Sequence, residues 1–145
     1  EVVELRDVMP TLLDIADLKG PDYMDGKSLL PLMQEADGDF RTYIHGEHCL
    51  CYHEDQEMQY VTDGKRKFIW LPCIGVEQFF DLEVDPGECE NLIDDASRAD
   101  EIQTWRQYLI DELAGRDCGW VKDGQLHYPG VALVSPYLAE RYTGK

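Results

Sequence analysis

The densest run of alternating apolar and polar positions spans residues 59–92, QYVTDGKRKFIWLPCIGVEQFFDLEVDPGECENL. A β-favouring stretch (Tyr60, Val61, Thr62) leads into Asp63-Gly64, the chain returns through Phe68, Ile69, Trp70 and Leu71, and a third run covers residues 76–82. Asp-Gly between two such runs predicts a hairpin, because the turn that matches strand twist needs positive φ at both central residues. Asp85-Pro86-Gly87 ends the third run: proline presets φ for one turn position and glycine supplies positive φ at the next. The pattern predicts an antiparallel meander of at least three strands.

Helical periodicity flanks the meander. Asp7 is placed to cap a helix with Pro10 in its first turn, where the missing N–H costs little. Val8, Leu12, Ile15 and Ala16 then share a face, and Gly20 is the expected terminator. A loop with a turn at Asp25-Gly26 follows, then a short helical turn over residues 28–33 around Pro31, an acidic linker at 35–39, and a strand entering a loop at 41–52. Past the meander, residues 88–96 read as an irregular connection. Ser97 is the expected cap of the clearest helix, with Ile102, Trp105, Leu109, Ile110 and Leu113 as its apolar stripe and Asp100 and Glu101 at its positive end. Gly115 closes it, and Trp105 reads as a core anchor between helix and sheet. Residues 116–145, punctuated by glycine and proline, predict an irregular extension with a last helical turn near Tyr137 and Tyr142.

These elements predict an α+β fold: a small antiparallel sheet of about four strands packed against a long C-terminal helix, with an N-terminal helix and an irregular C-terminal tail. The expected divisions are a lead-in helix and turn over 1–35, a sheet-plus-helix unit over 36–116, and an extension over 117–145. A chain of 145 residues with 43% hydrophobic composition is long enough to bury a core. Net charge is −17, from 30 acidic and 13 basic residues. That surface is wrong for nucleic acid, whose phosphates need a basic partner. No apolar run is long enough to span a membrane. Five cysteines at irregular spacing (Cys49, Cys51, Cys73, Cys89, Cys118) do not form a disulfide framework. They favour reduced thiols and a cytoplasmic setting, with room for one pair; the N-terminus itself does not reveal the localisation.

The segment His45-Gly46-Glu47-His48-Cys49-Leu50-Cys51-Tyr52-His53 raises a zinc reading, since thiolate and imidazole are zinc ligands. Extended, it would send His45, Glu47, Cys49, Cys51 and His53 to one side. Ligands two apart on a flat strand are too widely separated to share one tetrahedral ion, so an ordinary strand and loop is the better expectation. No phosphate-binding glycine loop, Gly-x-Ser-x-Gly or His-Glu-x-x-His is present.

Two stretches carry a family resemblance. TDGKRKFIW with GVEQFFDLEVDPGECENL, and upstream VVELRDVMPTLLDIADLKGPDYMDGKSLLPLM, resemble the C-terminal part of a sulfatase of the alkaline-phosphatase-like superfamily, in that family's order. The resemblance implies that the first helix follows and packs against a catalytic domain, and that the sheet unit stands beside the active-site mouth. It also implies a calcium ion and a formylglycine made within C/S-x-P-x-R. Here Cys49 leads to Leu-Cys-Tyr, Cys73 to Ile-Gly-Val and Cys89 to Glu-Asn-Leu, and no serine fits, so the resemblance puts the catalytic groups outside this chain. By itself the chain is then expected to be inactive. The implied function is that of a supporting subdomain of a sulfuric ester hydrolase, with its own catalytic domain and a sulfate ester as partners. Glu47 and His48 are the candidate substrate-binding residues: His48 as a donor to the non-reacting part of the substrate, Glu47 to orient it or accept from a sugar hydroxyl. The alternative is a stand-alone α+β binding or interaction module without catalysis.

Overall fold

A computed structural model describes residues 1–34, 40–48 and 56–130. The chain forms two compact units, Glu1–Ile44 and His45–Lys145.

In the first unit a 3-10 turn (Leu5–Asp7) runs into helix α1 (Val8–Ile15), and a one-turn helix α2 (Leu30–Met33) follows with Pro31 in its first turn. Asp7 stands at the N-terminus of α1 but its side chain does not cap that helix. It turns back instead: Oδ2 accepts from the Glu4 N–H (2.8 Å), Oδ1 from the Lys27 N–H (2.8 Å), and the Arg41 guanidinium closes on both oxygens at 2.8 and 2.7 Å. Gly26 is needed for this closure, since a Cβ there would overlap the Arg6 carbonyl. The helix also stops short of Gly20. Asp17 takes the left-handed conformation (φ 54), and the bonds Asp17 N–H to Asp14 O and Leu18 N–H to Leu13 O close the helix end in the Schellman pattern. Asp17→Gly removes the left-handed cost and should stabilise this end by up to about 1 kcal/mol, seen as slower hydrogen exchange of the Leu18 amide.

The second unit holds a four-stranded antiparallel sheet in the order β1 (Ile44–His48), β2 (Met58–Thr62), β3 (Arg66–Leu71), β4 (Val76–Asp81). The register Val61↔Phe68 and Phe68↔Phe79 lays three fully buried apolar side chains in one row across the strands. Helix α3 (Ala99–Ala114) crosses that face and buries the predicted stripe, Ile102, Trp105, Leu109, Ile110 and Leu113. At its N-terminal end Arg66 and Arg98 both grip Asp81 (2.8 and 2.9 Å) and Glu101 (2.8 and 3.0 Å), tying helix to sheet. Burial alone would raise the Asp81 carboxyl; the Arg98 hydrogen bond and the charges of Arg66 and Arg98 hold it below the ordinary carboxylate range.

Three turn expectations are corrected. The β2–β3 connection is longer than a two-residue turn: Thr62 pairs with Lys67, only Gly64 has positive φ (85°), and Asp63 Oδ1 accepts from the N–H groups of Lys65 and Arg66. The two-residue Asp-Gly turn lies instead at Asp123-Gly124 (φ 53 and 73), joining β5 (Val121–Lys122) to β6 (Gln125–Leu126) within the stretch expected to be irregular. After β4 the left-handed residue is Glu88 (φ 52) rather than Gly87, and Lys67 Nζ meets both of its carboxylate oxygens at 2.9 Å. Ser97 does not cap the long helix: Asp95 caps the 3-10 turn Ala96–Arg98 that leads into it, its Oδ1 accepting from the Ser97 N–H at 2.9 Å, and α3 follows Arg98 without a side-chain cap of its own. The hairpin delivers Trp120, fully buried, edge-on to Trp70 at 6.5 Å. The proposed turn at Tyr137 and Tyr142 lies outside the described residues, as do Cys49, Cys51 and His53. No helix among the described residues is long and apolar enough to cross a membrane.

Candidate functional site

Alternation along β1 sends His45 and Glu47 to one face and His48 to the other. On the first face they meet Gln59 of β2, Glu112 in the last turn of α3, and Arg116 just past it. His45 Nε2 lies 2.8 Å from Gln59 Oε1, and Arg116 Nη2 lies 3.2 Å from His45 Nδ1. Arg116 Nη1 donates to Glu47 Oε2 at 2.7 Å, and Glu112 Oε1 stands 4.0 Å from both Arg116 Nη2 and His45 Nδ1. Burial falls along this series. Gln59 is wholly buried, the His45 side chain is 4% exposed, and those of Arg116 and Glu47 are 33% and 41% exposed.

The hydrogen-bond directions follow from chemistry. Arginine only donates, so His45 Nδ1 must carry a lone pair, and the proton of a neutral ring sits on Nε2, donated to Gln59 Oε1. Burial foremost pushes the His45 pKa below its ordinary value; the Arg116 charge adds to this, while the Gln59 bond and the Glu112 and Glu47 carboxylates oppose it. The neutral ring is therefore the working form near pH 7.

His48 is exposed on the opposite face, with Nδ1 3.2 Å from the Gln56 carbonyl oxygen, to which it donates. The structure thus does not bring Glu47 and His48 together: one is clamped by Arg116, the other lies against backbone at the strand end. Gln59 and Arg116 were missed by sequence reasoning. Gln59 had a signal, because it shares parity with Val61 in β2 and so puts an amide where the pattern asks for an apolar group; Arg116 is 69 residues from Glu47 and had none.

Elsewhere, a groove between α3 and the β5–β6 hairpin is lined by Glu77, Gln103, Arg106, Ile110 and Leu126. Arg106 is held bidentately by Glu77 (3.0 and 2.6 Å), so its charge is already matched and the groove is not built for a sulfate. Among the described residues, no three His, Cys, Asp or Glu side chains gather to hold a metal ion. Among the described residues Cys73, Cys89 and Cys118 form no disulfide with one another, and Cys73 Sγ donates to Glu57 Oε2 at 3.3 Å.

Comparison with known proteins gives the chain its family. Residues 1–114 match the family described as N-sulphoglucosamine sulphohydrolase, C-terminal. The chain is similar to an arylsulfatase of Clostridium perfringens (strain 13 / Type A), 45% identical over 87% of this chain and 26% of that protein. It is also similar to the multifunctional alkaline phosphatase superfamily protein PehA of Trinickia caryophylli, 32% identical over 74% of this chain and 23% of that one. The chain thus spans about a quarter of the length of these relatives. In fold it resembles the 2-O GAG sulfatase BT1596 (TM-score 0.70, 24% identity, 90% of this chain and 30% of that chain) and the phosphonate monoester hydrolase of Agrobacterium radiobacter (TM-score 0.60, 21% identity, 74% and 24%). A sulfatase subdomain is supported over a stand-alone module. The sheet, its long helix and the two matching stretches agree: this chain belongs to the N-sulphoglucosamine sulphohydrolase C-terminal family, among the sulfatases of the alkaline-phosphatase-like fold.

Proposed function

We propose that this chain is the C-terminal subdomain of a sulfuric ester hydrolase, supporting the catalytic domain and bordering its substrate pocket with Glu47 and His48. The family match over residues 1–114 carries this reading. The surface of α1 supports the docking part of it: Val8 (48% exposed), Met9, Leu12 and Ile15, with Leu18 just beyond, present an apolar face that is bare in the first unit. Burying one such side chain is worth roughly 1.5–3 kcal/mol, and docking on a catalytic domain would cover them. The chain's own residues do not fit the chemistry the family implies. No Cys or Ser stands in C/S-x-P-x-R, and the described residues make no metal cluster. In this reading the formylglycine nucleophile and calcium are assigned to the catalytic domain, and this chain's share is to shape the rim.

The chain alone should leave 4-nitrophenyl sulfate and 4-nitrophenyl phosphate at the buffer rate, whereas the whole protein should cleave the sulfate. In the whole protein His48→Ala should raise KM several-fold with kcat almost unchanged, as a rim contact made equally in ground and transition states does. Turnover by the chain alone that survives repurification, or a whole protein that cleaves only the phosphate, overturns the reading.

A further inference from the structure

Glu47 is held from behind by a chain of hydrogen bonds that runs inward to the centre of the sheet. Arg116 spans two acceptors with the two ends of its fork, His45 Nδ1 at 3.2 Å on the buried side and Glu47 Oε2 at 2.7 Å on the open side. A planar guanidinium pinned at both ends fixes the plane in which its outer partner lies. His45 is itself pinned by Gln59 Oε1 at 2.8 Å. Flipping the Gln59 amide would put a donor against His45 Nε2, move the ring proton to Nδ1 and set it against the Arg116 donor, so Arg116 selects one amide orientation and one tautomer. In that orientation Gln59 Nε2 is buried without a hydrogen-bond partner among the described residues. A wholly buried amide with one end unpartnered is a poor way to stabilise a sheet, since an apolar side chain at that position would pack without the penalty. What the amide does achieve is to set the direction of His45.

We propose that His45 and Arg116 are positioning residues that aim the Glu47 carboxylate, leaving Oε1 directed outward as an acceptor for a hydroxyl of the substrate's leaving group, so that the series Gln59–His45–Arg116–Glu47 sets specificity for a hydroxylated, sugar-like sulfate ester. The proposal rests on the reading that the end of β1 borders the substrate pocket. It adds a division of labour: Glu47 makes the contact, Arg116 holds its plane, and neutral His45 holds Arg116. A protonated His45 would offer no acceptor to Arg116 and would repel it.

The test uses the whole protein, with 4-nitrophenyl sulfate as reporter and D-glucosamine 6-sulfate as competitor. The reporter has no sugar hydroxyl, so it reads the catalytic machinery alone. In the parent the competitor should inhibit, and Glu47→Gln should raise its inhibition constant about tenfold, several times more than it changes KM for the reporter. His45→Leu and Arg116→Met should reproduce that rise. His45→Asn, which keeps an acceptor close to where Nδ1 stands, should restore most of it, and His45→Gln, which reaches only the Nε2 position, should not. If Glu47→Gln raises the constant and His45→Leu does not, the relay is wrong and the rim reading survives. If the competitor does not inhibit the parent, or Glu47→Gln leaves the constant unchanged, the rim reading falls and the relay's role falls with it. Loss of reporter turnover in His45→Leu, or equal values for the Asn and Gln variants, marks His45 as structural and overturns the proposal.

Discussion

Trp105→Ala is expected to lower the stability of the sheet unit by roughly 3–5 kcal/mol, the usual cost of truncating a buried Trp. The indole is 7% exposed, lies in the apolar stripe of α3 where that helix crosses β2 and β3, and makes an edge-on contact with Tyr108 at 5.5 Å. It has no rival on its helix for size; Ile102, Leu109, Ile110 and Leu113 complete the stripe with smaller groups. The loss is a large part of the 5–15 kcal/mol that holds a typical domain folded. In urea the midpoint should fall steeply while the denaturant slope stays close to the parent's, because the same surface is exposed on unfolding. Trp105→Phe, which keeps a ring in the site, should lose less than half as much. An unchanged midpoint for the alanine variant would mean that the helix is not held through this residue.

That prediction follows directly from the sequence, and the reason is physical. A helix stripe recurring every three to four residues and strands alternating every two are local records of burial, so the meander and α3 were legible without a structure. Turn chemistry was legible in kind but not in place. Asp-Gly was read as a two-residue turn at Asp63-Gly64, yet the side chains of Asp63 and Thr62 there bond to the loop's own backbone and lengthen it. The same dipeptide at Asp123-Gly124 does make the tight turn. The helix caps erred for a related reason. Asp7 and Ser97 have the right side chains at the right spacing, but Asp7 is drawn away by Arg41, and Ser97 lies within the 3-10 turn that Asp95 caps.

The candidate site was legible only in part. Glu47 and His48 were found by their position at a strand end, but sequence adjacency in a strand means opposite faces, and their partners are remote: Arg116 for Glu47, the Gln56 backbone for His48. His45 was noticed as a metal ligand because imidazole near thiols suggests zinc. Its contacts in the described structure are an amide and a guanidinium, which ask for a neutral ring with a defined tautomer. Long-range polar contacts leave no periodic trace, so such a series is visible only once the strands are paired.

In the first unit the same kind of long-range contact carries the stability, and there Asp7→Asn should have the largest effect. Among the described residues of that unit only Asp7 and Thr11 are buried, and its large apolar side chains lie mostly at the surface. The unit is held by polar bonds around a wholly buried carboxylate that accepts from the Glu4 and Lys27 amides and from both arms of Arg41. The Arg41 hydrogen bond foremost, against the opposing effect of burial and with help from the two amides, holds the Asp7 carboxyl far below the usual carboxylate range. Its folded pKa is thus depressed: the stability it contributes is fully present above the ordinary value of 3.8 and is lost as pH falls from there through the folded value. Asparagine removes the charge and turns an N–H₂ donor toward Arg41 or an amide. Glu4 Oε1, 3.3 Å from Arg41 Nη2, still faces the guanidinium charge, so the loss should fall short of a wholly uncompensated buried charge, at about 1.5–3 kcal/mol, which is about 10- to 100-fold in an opening equilibrium. The Lys27 amide reports on this site alone, since its proton is donated to Asp7 Oδ1. Its hydrogen exchange should accelerate by about that factor in Asp7→Asn at pH 7. The parent's protection there, corrected for intrinsic exchange, should weaken as pH drops below 3.8, whereas the variant's, lacking the titrating group, should show much less acid dependence. Equal Lys27 protection in the two proteins at pH 7 would mean that the apolar contacts of α1, and not this carboxylate, hold the lead-in segment together.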